Sequence, residues 1–137
     1  MISHGEHGGH GESIECEEWL IDRVLTAATA VHRHLGPGLL ESIYEQALMV
    51  ELAEAGISAR HQVDVPVRYR GRDLGIGFRA DIVVEHRLLL EIKAVDRFDS
   101  AHLAQVISYL TLLGYKRGFL LNFNKRWLKE GIKRVSI

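Results

Sequence analysis

The sequence is poor in cysteine and proline, with one and two among its 137 residues, and it has no long apolar run. The single cysteine, Cys16, has no partner for an internal disulfide, which is typical of proteins from a reducing compartment. No segment approaches the roughly 20 apolar residues that a membrane-spanning helix needs. The start, Met1-Ile2-Ser3-His4, lacks the basic and then apolar pattern of a secretory signal. These absences predict a cytoplasmic protein without a membrane partner.

Charge is nearly balanced overall but unevenly distributed along the chain. The net charge is −1, and 47% of the residues are hydrophobic, as in an ordinary globular domain. The first 22 residues carry six acids and no lysine or arginine, whereas one acid, Glu130, accompanies a basic C-terminal region of Lys116, Arg117, Lys125, Arg126, Lys129, Lys133 and Arg134. Such a region can contact phosphates, although a run of charge is more often a solvated surface. Composition alone leaves both interpretations open.

The N-terminal segment, residues 1–13, holds His4, His7 and His10 among glycines and acids, with little that is apolar. Burial cannot offset the entropy of ordering such a segment, so the sequence predicts a flexible tail. Adventitious metal binding by these histidines is the weaker interpretation, because nothing fixes their geometry. A chain of this length then forms one domain, residues 14–137.

Hydrophobic periodicity predicts three helices and five strands. The helices are expected near residues 15–35, 39–55 and 99–113, and the strands near 57–69, 74–84, 88–95, 116–124 and 132–137. In the second helix the predicted buried face is Leu40, Ile43, Tyr44, Ala47, Leu48 and Leu52, and in the third it is Leu103, Val106, Ile107, Leu110 and Leu113. The third strand is apolar on both faces, which indicates a central strand, and Pro66 indicates an edge or a bulge. This order predicts an α/β or α+β fold with a mixed central sheet.

The hairpin around His86 brings two acids together. If its loop is Glu85-His86-Arg87, facing residues have numbers that sum to 172, and Asp81 lies opposite Glu91. Opposed carboxylates on a central strand repel each other and are costly to desolvate. A divalent cation between them removes both penalties, and Mg²⁺ prefers such ligands. The sequence therefore predicts a metal site here, with a charged, solvent-facing edge strand as the alternative.

Three other positions are weaker candidates. Lys93 lies two residues beyond Glu91 on the same face, where it either balances the carboxylates or contacts a substrate phosphate. Glu41, in the first turn of the second helix, is by itself better explained by the helix dipole and capping than by a functional role. Gln105 and Tyr109 share one face of the third helix, which by itself indicates only a half-exposed surface.

The order of these elements resembles the PD-(D/E)XK nuclease superfamily, from about Leu20 to the C-terminus. The matching residues are a helix glutamate, then Arg79-Ala80-Asp81, Glu91-Ile92-Lys93 and Gln105-Val106-Ile107-Ser108-Tyr109. The segment from Gly38 to Tyr44 is similar to the signature of the GxxExxY family, small bacterial proteins predicted to be such nucleases. One departure is Ala80, where the superfamily has a proline.

The resemblance implies a restriction-endonuclease-like core and a nuclease that depends on Mg²⁺ or Mn²⁺. It implies that Asp81, Glu91 and the carbonyl of Ile92 hold the metal, that Glu41 is an auxiliary acid and that Lys93 positions or activates water. Gln105 and Tyr109 would support the site and contact nucleic acid, with DNA the expected substrate. The other hypothesis is a nucleic-acid-binding or scaffolding protein on the same fold without activity. The sequence leaves open whether the domain binds DNA as a monomer or as a homo-oligomer.

Overall fold

A computed structural model describes the backbone of residues 10–137 and the side chains of residues 17–137. The first helix begins at His10, earlier than the predicted start near Glu15. The rest of the predicted flexible tail, residues 1–9 with His4 and His7, lies outside the described residues. None of the helices described is long and apolar enough to cross a membrane.

Helices and strands follow one another in the predicted order. The elements are α1 (His10–Leu35), α2 (Glu41–Glu54), β1 (Ala59–Tyr69), β2 (Arg72–Val84), β3 (Leu88–Lys93), α3 (Ser100–Leu113), β4 (Arg117–Asn122), a short 3-10 helix (Leu128–Gly131) and β5 (Ile132–Ser136). The five strands form one sheet in the order β1-β2-β3-β4-β5. Only β3 and β4, which α3 connects, are parallel. The predicted α+β fold with a mixed sheet is confirmed.

The core has two layers, one on each face of the sheet. On one face, α1 and α2 cover a cluster that includes Leu88, Leu90 and Ile92 of β3. On the other face, α3 packs its Val106 and Leu110 near Leu89 of β3. Residues Leu88 to Ile92 are all buried, so the prediction of a central strand that is covered on both faces is confirmed.

The predicted buried faces of two helices were partly wrong. Leu40 and Ile43 are 73% and 43% exposed, and Ile107 of α3 is 41% exposed. The fully buried line of α2 is Tyr44, Leu48 and Leu52, so the stripe that α1 and the sheet cover is narrower than the predicted one. Helical spacing shows which residues share a side, but the width of the covered stripe depends on the neighbouring elements.

Helix and strand ends follow local chemistry. The carboxylate of Asp99 caps α3 by accepting from the backbone N–H groups of Ala101 and His102, at 2.8 and 3.1 Å, and Gly114 ends it in a left-handed conformation. Pro66 lies at an irregularity of the edge strand β1, as predicted. The predicted four-residue turn after Tyr69 is instead a two-residue turn, Arg70-Gly71, with both φ angles positive.

Candidate metal and phosphodiester site

Asp81 and Glu91 lie side by side where the ladder between β2 and β3 ends. The observed pairs are Ile82 with Leu90, Val83 with Leu89 and Val84 with Leu88, which is the predicted register. Beyond it, side chains join the strands: the N–H of Asp81 donates to Glu91 Oε2 at 3.0 Å, and the N–H of Ile92 donates to Asp81 Oδ2 at 2.8 Å. Each carboxylate therefore takes the place of a carbonyl acceptor and is fixed by the backbone.

A local reversal of the strand faces explains why the ladder ends there. On β2, Phe78 and Ala80 belong to the cluster under α3, whereas Ile82 belongs to the cluster under α1 and α2. Strict alternation would put these even-numbered residues on one face, so the strand must be distorted at Asp81. The opposite residue on β1, Gln62, has a φ of 54°, which is uncommon for a residue other than glycine. Such distortions are often found at functional sites.

Burial makes the two carboxyl groups hard to ionise. Glu91 is 4% exposed, and burial together with the nearby Asp81 carboxyl raises its pKa from 4.5 to about 8. Burial also raises the pKa of Asp81, against the lowering effects of the Ile92 N–H group and of Lys93. A buried pair of this kind is stabilised by added positive charge. Positive charge placed beside them would therefore favour ionisation of both carboxyl groups.

Lys93 and Glu41 complete the set of predicted residues that lie near this pair. Lys93 is half-buried at the end of β3, and its charge lowers the pKa of both Asp81 and Glu91. The Glu41 carboxylate accepts a hydrogen bond of 3.1 Å from the N–H of Ala94, directly after β3, and its charge raises the pKa of Asp81. Glu41 therefore approaches the site from α2, and its position depends on that helix start.

Tyr44 holds the start of α2 in place. Its hydroxyl donates to the carbonyl of Gly36 and accepts from the N–H of Leu39 at 3.0 Å, and its ring stacks on Phe123 of the core. Gly38 has a φ of 100°, a conformation that a side chain would strain. The tyrosine thus anchors the loop that delivers Glu41.

Two further polar residues of the site were missed by the sequence analysis. Glu45 lies one helical turn after Glu41 and is only 7% exposed, and Gln62 Nε2 donates to both of its carboxylate oxygens, at 2.7 and 3.0 Å. The Gln62 side chain also lowers the pKa of Asp81. Gln62 therefore acts on both acids. Only the i, i+4 spacing of Glu41 and Glu45 could have indicated Glu45, whereas nothing in the strand pattern marked Gln62.

We expect Gln62→Ala to lower the Mn²⁺ affinity of the site about 10-fold to 100-fold, since losing a group that orients a metal ligand typically has that effect. The physical reason is that Glu45 would lose both hydrogen bonds from the amide and Asp81 would lose the group that lowers its pKa. Calorimetric titration with Mn²⁺ measures it, and Gln46→Ala, on the exposed side of α2, is the matched control. Equal affinities in the two variants would show that Gln62 does not position the site.

Tyr109 and Gln105 differ in their relation to the site. The Tyr109 ring stacks on Phe78 with centroids 3.6 Å apart, and burial, followed by the nearby Glu91 and Asp81, raises its pKa. Tyr109 thus lies close enough to the acidic pair for the charges of Glu91 and Asp81 to act on its hydroxyl group. Gln105 is exposed one turn earlier on the same helix. The structure therefore places the tyrosine near the predicted metal ligands and leaves Gln105 on the surface.

The basic C-terminal region is partly neutralised by α1. Arg117 Nε lies 2.6 Å from a carboxylate oxygen of Glu17, and Arg134 forms two hydrogen bonds with Glu18. Lys125 Nζ donates to the carbonyl of Asp96 at 2.6 Å. Arg117 and Arg134 therefore hold α1 against the sheet, so the region has less free positive charge than its sequence suggests.

The oxygen atoms near Asp81 and Glu91 suit a site that binds a hard cation together with water better than a site in which the protein supplies every ligand. Among the residues described, no three histidine, cysteine, aspartate or glutamate side chains form a preformed metal-ligand group. Mg²⁺, however, commonly uses one or two carboxylates and completes its octahedron with water and substrate phosphate oxygens. Asp81, Glu91 and the neighbouring Ile92 carbonyl fit that requirement. The buried, adjacent carboxylates, whose pKa values are raised, are the observation that supports the fit.

Comparison with known protein families finds a match over nearly the whole domain. The model that describes the PD-(D/E)XK nuclease superfamily matches residues 18–135. Comparison with curated proteins and with solved structures finds no match. The matched range includes every residue of the site described above.

Proposed function

The chain belongs to the PD-(D/E)XK nuclease superfamily, and we propose that it is a Mg²⁺-dependent nuclease that hydrolyses phosphodiester bonds in DNA. The observation that carries this proposal is the pair of buried, backbone-anchored carboxylates of Asp81 and Glu91, with Lys93 two residues further along β3. An inactive binding protein on this fold would have little reason to keep two charges that are costly to bury.

In this proposal Asp81, Glu91 and the Ile92 carbonyl hold Mg²⁺ or Mn²⁺, and Glu41 reaches the ion directly or through water. When bound, the metal neutralises charge on the phosphate and lowers the pKa of a coordinated water. The fold supports the ligand roles because backbone N–H groups orient both carboxylates before any ion arrives. Such preorganisation reduces the cost of assembling the site.

Lys93 has a separate role in the proposed reaction. Its ammonium group, half-buried beside the carboxylates, contacts the scissile phosphate and orients the attacking water. A positive charge there opposes the negative charge that develops on the phosphate oxygens in the transition state. Tyr109, and Gln105 at the exposed end of the same helix face, contact the nucleic acid beside the cleaved bond.

The finer assignments also remain proposals. We place the protein in the GxxExxY family, because Gly38, Glu41 and Tyr44 occupy its signature positions and act together on the start of α2. We place it in the cytoplasm, on the single cysteine of its sequence. The domain is small and its free positive charge is limited, so assembly as a homo-oligomer would extend the surface that holds DNA.

We expect Asp81→Asn and Glu91→Gln each to abolish measurable Mn²⁺ binding at the site, because a single carboxylate is a poor ligand set. Calorimetry on the full chain measures this, with the exposed Glu130→Gln as control. Unchanged affinity in both variants would refute the metal site. Binding that is lost only when residues 1–13 are deleted would instead assign the metal to the histidines of the N-terminal segment.

Incubation with labelled single-stranded and double-stranded DNA and RNA, in Mg²⁺ or Mn²⁺ and with EDTA as control, tests the activity. The expected result is cleavage of DNA that EDTA stops and that Asp81→Asn lacks. If the wild type cleaves none of these substrates in Mn²⁺ yet binds DNA, the scaffold hypothesis replaces the nuclease.

A further inference from the structure

The hairpin of β1 and β2 extends well beyond the two hydrophobic layers. We call residues 66–77 the arm. All of them except the half-buried Val67 are exposed, and none belongs to either core cluster. Tyr69, Leu74 and Ile76 are 60%, 61% and 58% exposed. A two-stranded ribbon without a covering layer contributes little stability of its own, so this much exposed apolar surface indicates a binding role.

The arm nevertheless has a defined shape. Its strands pair at Tyr69 with Arg72 and at Arg68 with Asp73, across the tight turn of Arg70 and Gly71. Val67 lies so close over Gly77 that a side chain at position 77 would collide with it. The ribbon is thus built for close contact between its strands.

Positive charge is concentrated on the arm. Arg68, Arg70 and Arg72 form no ion pair within the described part of the chain, whereas Arg79 at the base pairs with Asp64 at 2.8 Å. Arg68 donates to the carbonyl of Gly71, which keeps its guanidinium at the tip. The only acid of the arm, Asp73, is engaged by the N–H of Gly75. The three arginines are therefore free to meet a polyanion.

We propose that the arm docks into the major groove of B-form duplex DNA about one helical turn from the cleaved phosphate, so that the substrate is double-stranded. A two-stranded ribbon fits that groove, whereas the major groove of A-form RNA is too narrow. At about 3.3 Å per residue, the strand from Arg72 to Asp81 spans at most about 30 Å, close to the ~34 Å of one DNA turn. The inference extends the proposed function, because it assigns the substrate class of the same site.

The test compares wild type with the triple variant Arg68→Gln, Arg70→Gln, Arg72→Gln by fluorescence anisotropy in EDTA, where no cleavage occurs. The probes are DNA duplexes of about 30 and about 8 base pairs, single-stranded DNA and duplex RNA. We expect the variant to lose at least about tenfold in affinity for the long duplex and about two to three units of its salt slope. The short duplex, which cannot reach the arm from the site, serves as the internal control, and Arg33→Gln, exposed on α1, is the protein control.

Each result supports or overturns the arm proposal separately from the nuclease proposal. A selective loss on the long DNA duplex supports it, even if the wild type cleaves nothing in Mn²⁺. Equal affinities of variant and wild type for every probe overturn it, even if the wild type is an active nuclease. Sedimentation equilibrium in which the wild type is a dimer and the variant a monomer would also overturn it and assign the arm to self-association.

Discussion

Lys93→Ala is expected to lower the DNA cleavage rate by about 10²-fold to 10⁴-fold while changing DNA affinity less than about twofold. The lysine lies at the end of β3 beside two carboxylates, so in the proposed reaction its charge would act on the scissile phosphate and not on the other phosphates along the duplex. One ammonium group is also a small part of a surface that contacts many phosphates. Cleavage would be measured in Mn²⁺, and affinity by anisotropy in EDTA.

Lys116→Ala is the matched control for that experiment. Lys116 is exposed and directly precedes β4 at the opposite end from Asn122, the residue that pairs with Lys93. Its removal should leave the cleavage rate unchanged. A parallel loss of affinity and rate in Lys93→Ala would show that the lysine only binds DNA, and an unchanged rate would remove it from the proposed chemistry.

Glu91→Gln is expected to make the metal-free protein more stable than wild type at pH 9, with little difference at pH 4. In wild type, burial and Asp81 raise the pKa of Glu91 from 4.5 to about 8, so the folded protein holds this proton more tightly than the unfolded chain does. The stabilisation is therefore fully present below about pH 4.5 and is lost as the pH rises through about 8. Glutamine keeps the uncharged shape at every pH.

The size of that effect follows from the shift of the pKa. A rise from 4.5 to about 8 corresponds to a difference on the order of 5 kcal/mol in the free energy of unfolding between pH 4 and pH 9, as an upper bound. Urea denaturation of both proteins in EDTA across this range measures it, with Glu130→Gln as the exposed control. Stability curves of wild type and Glu91→Gln that run parallel with pH would contradict the predicted burial of a carboxyl at position 91.

Most of the fold could be predicted from local patterns. The succession of helices and strands follows from hydrophobic periodicity, and the central position of β3 follows from a run that is apolar on both faces. The ends of α3 likewise depend on neighbouring residues, Asp99 before the helix and Gly114 after it. The register of the β2–β3 hairpin also followed from its three-residue loop, which is why Asp81 and Glu91 could be placed together. The extent of the buried faces of α2 and α3 could not be predicted, since Leu40, Ile43 and Ile107 are exposed where none of the described elements covers them.

The sequence by itself determined that Asp81 and Glu91 meet in the hairpin, because a short loop fixes which residues of its two strands face each other. Only the tertiary structure decided which distant residues join them. Glu45 and Gln62 meet through the packing of α2 against β1 and the reversal of faces at Asp81. It also decided where positive charge is free: α1 pairs with Arg117 and Arg134, whereas the arginines of the arm form no ion pair with any residue whose side chain is described. Charge and burial are properties of the neighbours in space, and those neighbours are far apart in the chain.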